Sequence, residues 1–139
     1  MDSQLATLLS EHHLRLTTPR RQIFDELTRA HEPLSIVQLT KLLPDADRVS
    51  IYRTIELFTR LGITTAVNYG WKQRYELASP LKPHHHHLFC TSCSRHIEIH
   101  SKHLEALIET IGKEQDFTPR NHHFEITGTC NQCRATSPN

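Results

Sequence analysis

The chain has 139 residues, a formal net charge of +1 and 22% charged residues. That length fits one domain or two very small ones, each with a modest core. No apolar run approaches bilayer-spanning length, which excludes a helical membrane protein, and near-neutral charge means any nucleic-acid partner must be held by a local basic surface.

The first part of the chain reads as short helices. Leu5, Leu8, Leu9 and His12 recur at i, i+3, i+4 and i+7, one face of a first helix. Thr18-Pro19 predicts a cap followed by proline at the first helical position, with Ile23, Leu27 and Ala30 along the helix it opens. Ser35 and Gln38 form a capping box, and Ile36, Leu39, Leu42 and Leu43 supply the next buried stripe until Pro44 stops it. Asp45 to Asp47 lead into a fourth helix with Ile51, Ile55 and Phe58 on one face, ended by Gly62.

Beyond Gly62 the hydrophobic period changes. Ile63 to Val67 is β-branched and Thr-rich, Tyr69-Gly70-Trp71 predicts a hairpin turn, and Gln73 to Leu77 alternates. A helix-turn-helix followed by a two-stranded hairpin is a winged helix; a helical core with an unrelated hairpin is the plainer alternative. Pro80 and Pro83 place a hinge over 79–83, because two prolines so close cannot sit in a regular element.

The second part predicts a strand over 84–89, another over 95–100, a helix with Leu104, Leu107, Ile108 and Ile111 at ideal spacing, and a strand over 120–127. Its chemistry differs from that of the first part. Up to Pro83 there are 11 Lys/Arg, 9 Asp/Glu and 3 His; beyond it there are 5, 6 and 9. All four cysteines lie in two CxxC knuckles, Cys90/Cys93 and Cys130/Cys133. Each knuckle puts two thiolates on one turn, and two knuckles complete a closed tetrahedral Zn²⁺ site that holds structure rather than doing chemistry. Disulfides are the competing reading, but with no signal peptide a cytoplasmic, reducing setting is expected and favours thiolate–metal bonds.

His84-His85-His86-His87 leads directly into the first knuckle. On a strand, successive side chains face opposite ways, so His84 and His86 share one face while His85 and His87 share the other, and one strand can serve two metal sites. The same alternation turns Glu76 toward the hinge if Tyr75 and Leu77 pack the wing. It turns His122 inward with Phe124 and Ile126, while Glu105 sits at the edge of the apolar helical stripe within reach of a strand. His12, His13, His96, His100 and His103 are expected to be surface residues.

Winged helix, hinge, His-rich strand, CxxC, helix, strand and CxxC, in that order, resemble the ferric uptake regulator (Fur) family of metal-dependent transcription factors. The local matches are Leu16-Thr17-Thr18-Pro19-Arg20, Val49-Ser50-Ile51-Tyr52-Arg53, Arg74-Tyr75-Glu76-Leu77 and the stretch from His85 to Cys93. The resemblance implies an α+β chain: a winged-helix DNA-binding domain over 1–78, a hinge over 79–83, and a small α/β dimerisation and metal-binding domain over 84–139. It implies a structural zinc on Cys90, Cys93, Cys130 and Cys133, and a regulatory hinge site on Glu76, His85 and His87, with Glu98 sometimes adding a carboxylate. A further site falls on His84, His86, Glu105 and His122. The family's usual histidine before the third helix aligns with Pro33, so His31 or Glu32 is the expected substitute, His31 preferred because imidazole suits Fe²⁺, Zn²⁺ and Mn²⁺ alike. In the DNA-binding half, Ser50, Tyr52 and Arg53 open the helix that enters the major groove. The resemblance gives Tyr52 base contacts, with core packing as its alternative, and gives Arg20 and Arg53 phosphates. Lys72 and Arg74 suit backbone contacts on the wing.

The expected function is a homodimeric, metal-responsive repressor of metal homeostasis genes that binds a pseudo-palindromic operator in double-stranded DNA. Iron is the first choice of sensed metal, with zinc or manganese next; peroxide sensing is disfavoured because glutamates stand at 76 and 98 where peroxide-sensing members carry aspartates. A zinc hydrolase would need an open zinc and a helical HExxH-type spacing, which is absent. A metal buffer would use the histidines but leave the winged helix idle.

Overall fold

The structure, a computed structural model, describes residues 2–69, 72–79 and 81–136. The expected turn at Gly70 and Trp71, and Pro80 of the hinge, lie outside these residues. The chain divides into two compact units, residues 1–82 and 83–139.

The first unit runs α1 (Asp2–Glu11), α2 (Thr18–Arg29), α3 (Ile36–Leu42), α4 (Arg48–Arg60), β1 (Thr64–Tyr69) and β2 (Lys72–Leu77). Its core is formed by Leu5, Leu9, Ile23, Leu39, Ile51, Ile55, Phe58 and Ile63, each almost wholly buried. The α3 capping box is complete: the Gln38 N–H donates to Ser35 Oγ at 3.2 Å and the Ser35 N–H to Gln38 Oε1 at 2.9 Å. Asp47 caps α4 by accepting the Ser50 N–H at 3.1 Å, and Gly62 leaves that helix at φ +69°. β1 and β2 pair antiparallel from Thr64↔Leu77 to Tyr69↔Lys72. Leu34 and Tyr75 exchange both backbone hydrogen bonds, at 2.9 and 2.8 Å, so the segment before α3 adds a short third edge to the hairpin. Helices with a hairpin wing are thereby established.

Two sequence expectations shift here. Thr18 is already helical and Thr17 holds the cap position without a side-chain cap bond, so Pro19 falls one position later than expected. Leu42 is half exposed, because Leu43 leaves helical geometry at the C-cap (φ −122°) and fills the core in its stead.

The second unit runs β3 (His86–Cys90), β4 (His96–Ile99), α5 (Lys102–Glu114), β5 (Glu125–Gly128) and α6 (Asn131–Thr136). Its sheet has the order β4-β3-β5, with β4 antiparallel and β5 parallel to β3. The first knuckle is the β3–β4 turn, closed by Ser94 N–H to Cys90 O and Cys90 N–H to Arg95 O, both 2.9 Å, with Ser94 at φ +60°.

The strands are shorter than the alternation predicts. β3 starts at His86, not His84, since its partner ends at Ile99 just before Ser101 caps α5. β5 starts at Glu125 rather than near residue 120, because the preceding segment folds against the end of α5. There, a Cβ on Gly112 would meet Phe117 O and Pro119 Cδ at 2.7 Å. His122 therefore precedes the strand, and Phe124 and Ile126 are 40% and 48% exposed instead of facing inward. On α5 the apolar stripe is also largely outward, with Leu107 and Ile111 at 54% and 50% exposure. His96, expected at the surface, packs its ring against Phe89 with centroids 4.9 Å apart.

Candidate metal centres and nucleic-acid interface

Four cysteines converge where β3, the β5–α6 junction and the two knuckles meet. Their sulfur atoms all lie within 4.8 Å of one another, and Cys93 Sγ is 3.8 Å from Cys130 Sγ. A tetrahedron with Zn–S bonds of about 2.3 Å places its sulfurs about 3.8 Å apart, so the donor set fits zinc. The Cys130 N–H donates to Cys90 Sγ at 3.3 Å. Backbone donation from Cys130, then from Cys93, pulls the Cys90 thiol down to about 6. Sharing of a proton with Cys93, then with Cys130, pushes Cys133 up to about 12. Cys90 thus enters neutral solution as a thiolate, the form that binds metal, and Cys133 must surrender its proton when metal arrives.

A second set surrounds Glu105 on the first turn of α5. Its carboxylate lies 2.7 Å from His86 Nε2, 3.4 Å from His84 Nε2 and 3.2 Å from His122 Nε2, and His84 Nε2 is 2.9 Å from His122 Nε2. All four donor atoms lie within 4.8 Å of one another. His86 is buried, and its hydrogen bond is the main reason the Glu105 carboxyl lies below the usual value of 4.5. Burial, the largest influence on His84, holds its imidazole below 6.5 and so favours the neutral ligand form. Three nitrogens and one carboxylate suit Zn²⁺, Fe²⁺ or Mn²⁺ without selecting sharply among them.

His85 and His87 turn to the other side, their ring centroids 4.8 Å apart. His85 Nε2 is 3.8 Å from Glu98 Oε1 on β4. In the first unit, Glu76 is buried on β2 and pairs with Lys82 at 3.2 Å. His31 is exposed and Glu32 lies 3.8 Å from Arg74.

Along α4, Ile51, Thr54, Ile55, Leu57 and Phe58 are buried while Val49, Tyr52, Arg53 and Glu56 face solvent. Tyr52 is 47% exposed, so core packing does not account for it. Arg48 stacks over its ring at 5.8 Å. Tyr52 and Arg53 line a groove of about 630 Å³ with Val49, Gln73 and Tyr75 of the wing. Ser50 is half-buried and Lys72 is exposed. Arg20 donates to the Arg15 carbonyl. Arg74, expected to contact DNA, has a side chain only 16% exposed and donates to the Pro33 carbonyl at 3.4 Å, so it braces the wing against the 32–33 segment. Arg48 was not singled out from sequence, and Val49 only as the start of a matched stretch; their place beside Tyr52 at i−4 and i−3 on a helix face is the signal that marks them.

A winged-helix unit joined to one carrying a thiolate set and an imidazole–carboxylate set defines a metal-binding protein of regulatory type. Residues 11–127 match the ferric uptake regulator family, and the chain belongs to that family. The ferric uptake regulation protein of Synechococcus elongatus is 34% identical over 140 residues, 95% of this chain and 94% of that one. That of Bacillus subtilis is 34% identical over 92 residues, 65% of this chain, and the match spans 62% of that protein's length. The crystal structure of the Vibrio cholerae ferric uptake regulator superposes with a TM-score of 0.75 at 27% identity, covering 88% of this chain and 96% of that one. Members of the family are metal-responsive transcriptional regulators and not enzymes, which removes the hydrolase alternative. No helix among the described residues is long and apolar enough to cross a membrane.

Proposed function

We propose that the chain is a homodimeric repressor that binds a pseudo-palindromic DNA operator when a regulatory metal closes the hinge over 79–83. The observation that carries this reading is the division of the four consecutive histidines, His84 and His86 toward Glu105 and His122, His85 and His87 toward the opposite side. One donor set stays within the second unit. The other takes Glu76 from the first unit as a further ligand, so metal binds best when both units are correctly placed. The mechanism is then a population shift, driven by the difference in metal affinity between closed and open arrangements. A coupling of about 3 kcal/mol lies within the usual allosteric range.

DNA contact falls to Tyr52 for base edges, to Arg53 and Arg20 for phosphates, and to Ser50 and Lys72 beside them, supported by the outward face of α4. The zinc held by Cys90, Cys93, Cys130 and Cys133 cross-links the second unit. Homodimerisation is supported by its exposed apolar residues Leu107, Ile111, Phe117, Phe124 and Ile126. Iron is the preferred regulatory metal, because the donors outside the thiolate set are all nitrogen or oxygen and no cysteine is spare; zinc and manganese share that chemistry and form the second reading.

His87→Ala tests the hinge site. The variant should remain a folded, zinc-containing dimer whose DNA affinity no longer responds to added metal. Full metal response in that variant would move the sensor to the His84 and His86 face.

A further inference from the structure

His100 directly follows β4, just before the Ser101 cap of α5, and nothing in its sequence setting marks it as a ligand. Its ring stands 6.0 Å from that of His85, centroid to centroid, at a 51° tilt. Its Nδ1 lies 3.1 Å from the carbonyl oxygen of His84. A carbonyl can only accept, so Nδ1 carries the hydrogen and Nε2 of the neutral ring carries the lone pair. His85 is set the same way, its Nδ1 donating to the Pro83 carbonyl at 2.8 Å. Fixing one ring nitrogen on a backbone carbonyl, and thereby presenting the other, is how proteins orient histidines that ligate metals. Neighbouring carbonyls of one segment thus fix two imidazoles in the same tautomer, with Glu98 3.8 Å from one of them.

We infer that His100 is a fourth donor of the second unit's share of the regulatory site, joining His85, His87 and Glu98 around a divalent cation. The inference rests on the hinge-site reading above and assigns to it an imidazole that does not come from the first unit. Because His100 is exposed, its ring can pivot about the Nδ1 hydrogen bond and bring Nε2 toward the cation without disturbing the core. With three imidazoles and a carboxylate from the second unit, metal can load there first, leaving Glu76 to complete the shell. A histidine near Pro33 is then unnecessary.

Co²⁺ is the probe, titrated in competition with a chelator against the full-length chain already holding zinc on its cysteines. A Glu105→Ala/His122→Ala background, which leaves only His84 and His86 of the neighbouring donor set, weakens its competition for Co²⁺. His100→Ala and His100→Gln should each lower Co²⁺ affinity by at least about tenfold and alter the ligand-field absorption, with zinc content and thermal midpoint unchanged. His31→Ala should titrate like its parent. Gln can still donate to the His84 carbonyl, so if His100→Gln restores parental binding the role is structural and the inference fails. It fails equally if neither His100 variant differs from the parent. His87→Ala separates the two levels: unchanged Co²⁺ binding in that variant overturns the hinge site itself, whereas loss there beside normal His100 variants overturns the fourth donor alone.

Discussion

Glu105 faces three imidazoles, and the protons shared among them determine how the second unit responds to acid. The carboxyl is held below 4.5, chiefly by the His86 hydrogen bond, and His84 is held below 6.5, chiefly by burial. Both groups bind fewer protons folded than unfolded, so both contribute stability that rises with pH. The His84 contribution is complete above 6.5 and lost as pH falls through its lower folded value; that of Glu105 follows below 4.5. Thermal midpoints of protein stripped of its non-cysteine metals should fall on acidification in those two windows, and Glu105→Gln should flatten the lower one. A midpoint rising on acidification would show that the imidazoles gain protons on folding. At the thiolate set, Cys93→Ser should release about one zinc per chain and lower the thermal midpoint, since metal binding is folding energy in such sites. A variant that kept its zinc would remove Cys93 from the ligands. On α4, Arg53→Ala should weaken binding to all duplexes alike and reduce the salt slope by about one unit. Tyr52→Ala should narrow the gap between operator and random DNA by roughly 1–3 kcal/mol.

The end of α5 is where one element dictates the shape of the next. Phe117 N–H returns to Gly112 O at 2.8 Å, and Pro119 lies so close to Gly112 that any side chain there must displace it. Gly112→Ala should cost about 1–3 kcal/mol by overpacking, read as a lower denaturation midpoint. It should also disturb His122, which follows on the same segment. This packing explains why β5 was expected too long. Alternation is a local signal and continued back to residue 120, but the competing contact is made with α5 by Phe117 and Pro119, which lie before the alternating stretch. The Ser35–Gln38 box and the Asp47 cap were legible because donor and acceptor sit three residues apart. Histidine parity was legible for the same reason, although β3 begins only at His86. The α5 stripe was visible as a pattern, yet the pattern did not say whether it faces its own unit or another molecule. The sequence marks His100 only as a surface residue, because its tautomer depends on one distance to the carbonyl of a residue 16 positions earlier.

At the scale of the whole molecule, the exposed apolar residues of α5 and β5 make self-association the expected state. A charge at Leu107, as in Leu107→Asp, should produce monomers by sedimentation while leaving zinc in place. Loss of the dimer should also cost operator affinity, because two recognition helices no longer bind as a linked pair. The central claim concerns neither unit alone but the dependence of DNA binding on metal. The direct measurement is the affinity of the zinc-loaded chain for a duplex selected by it from a random-sequence pool, at fixed salt and without oxygen, before and after Fe²⁺ is added. Metal should tighten binding to that duplex by up to about 150-fold, the range open to a coupling near 3 kcal/mol, and should leave a scrambled duplex far behind. Equal affinity for the selected duplex with Fe²⁺, Zn²⁺, Mn²⁺ and no regulatory metal would contradict the account.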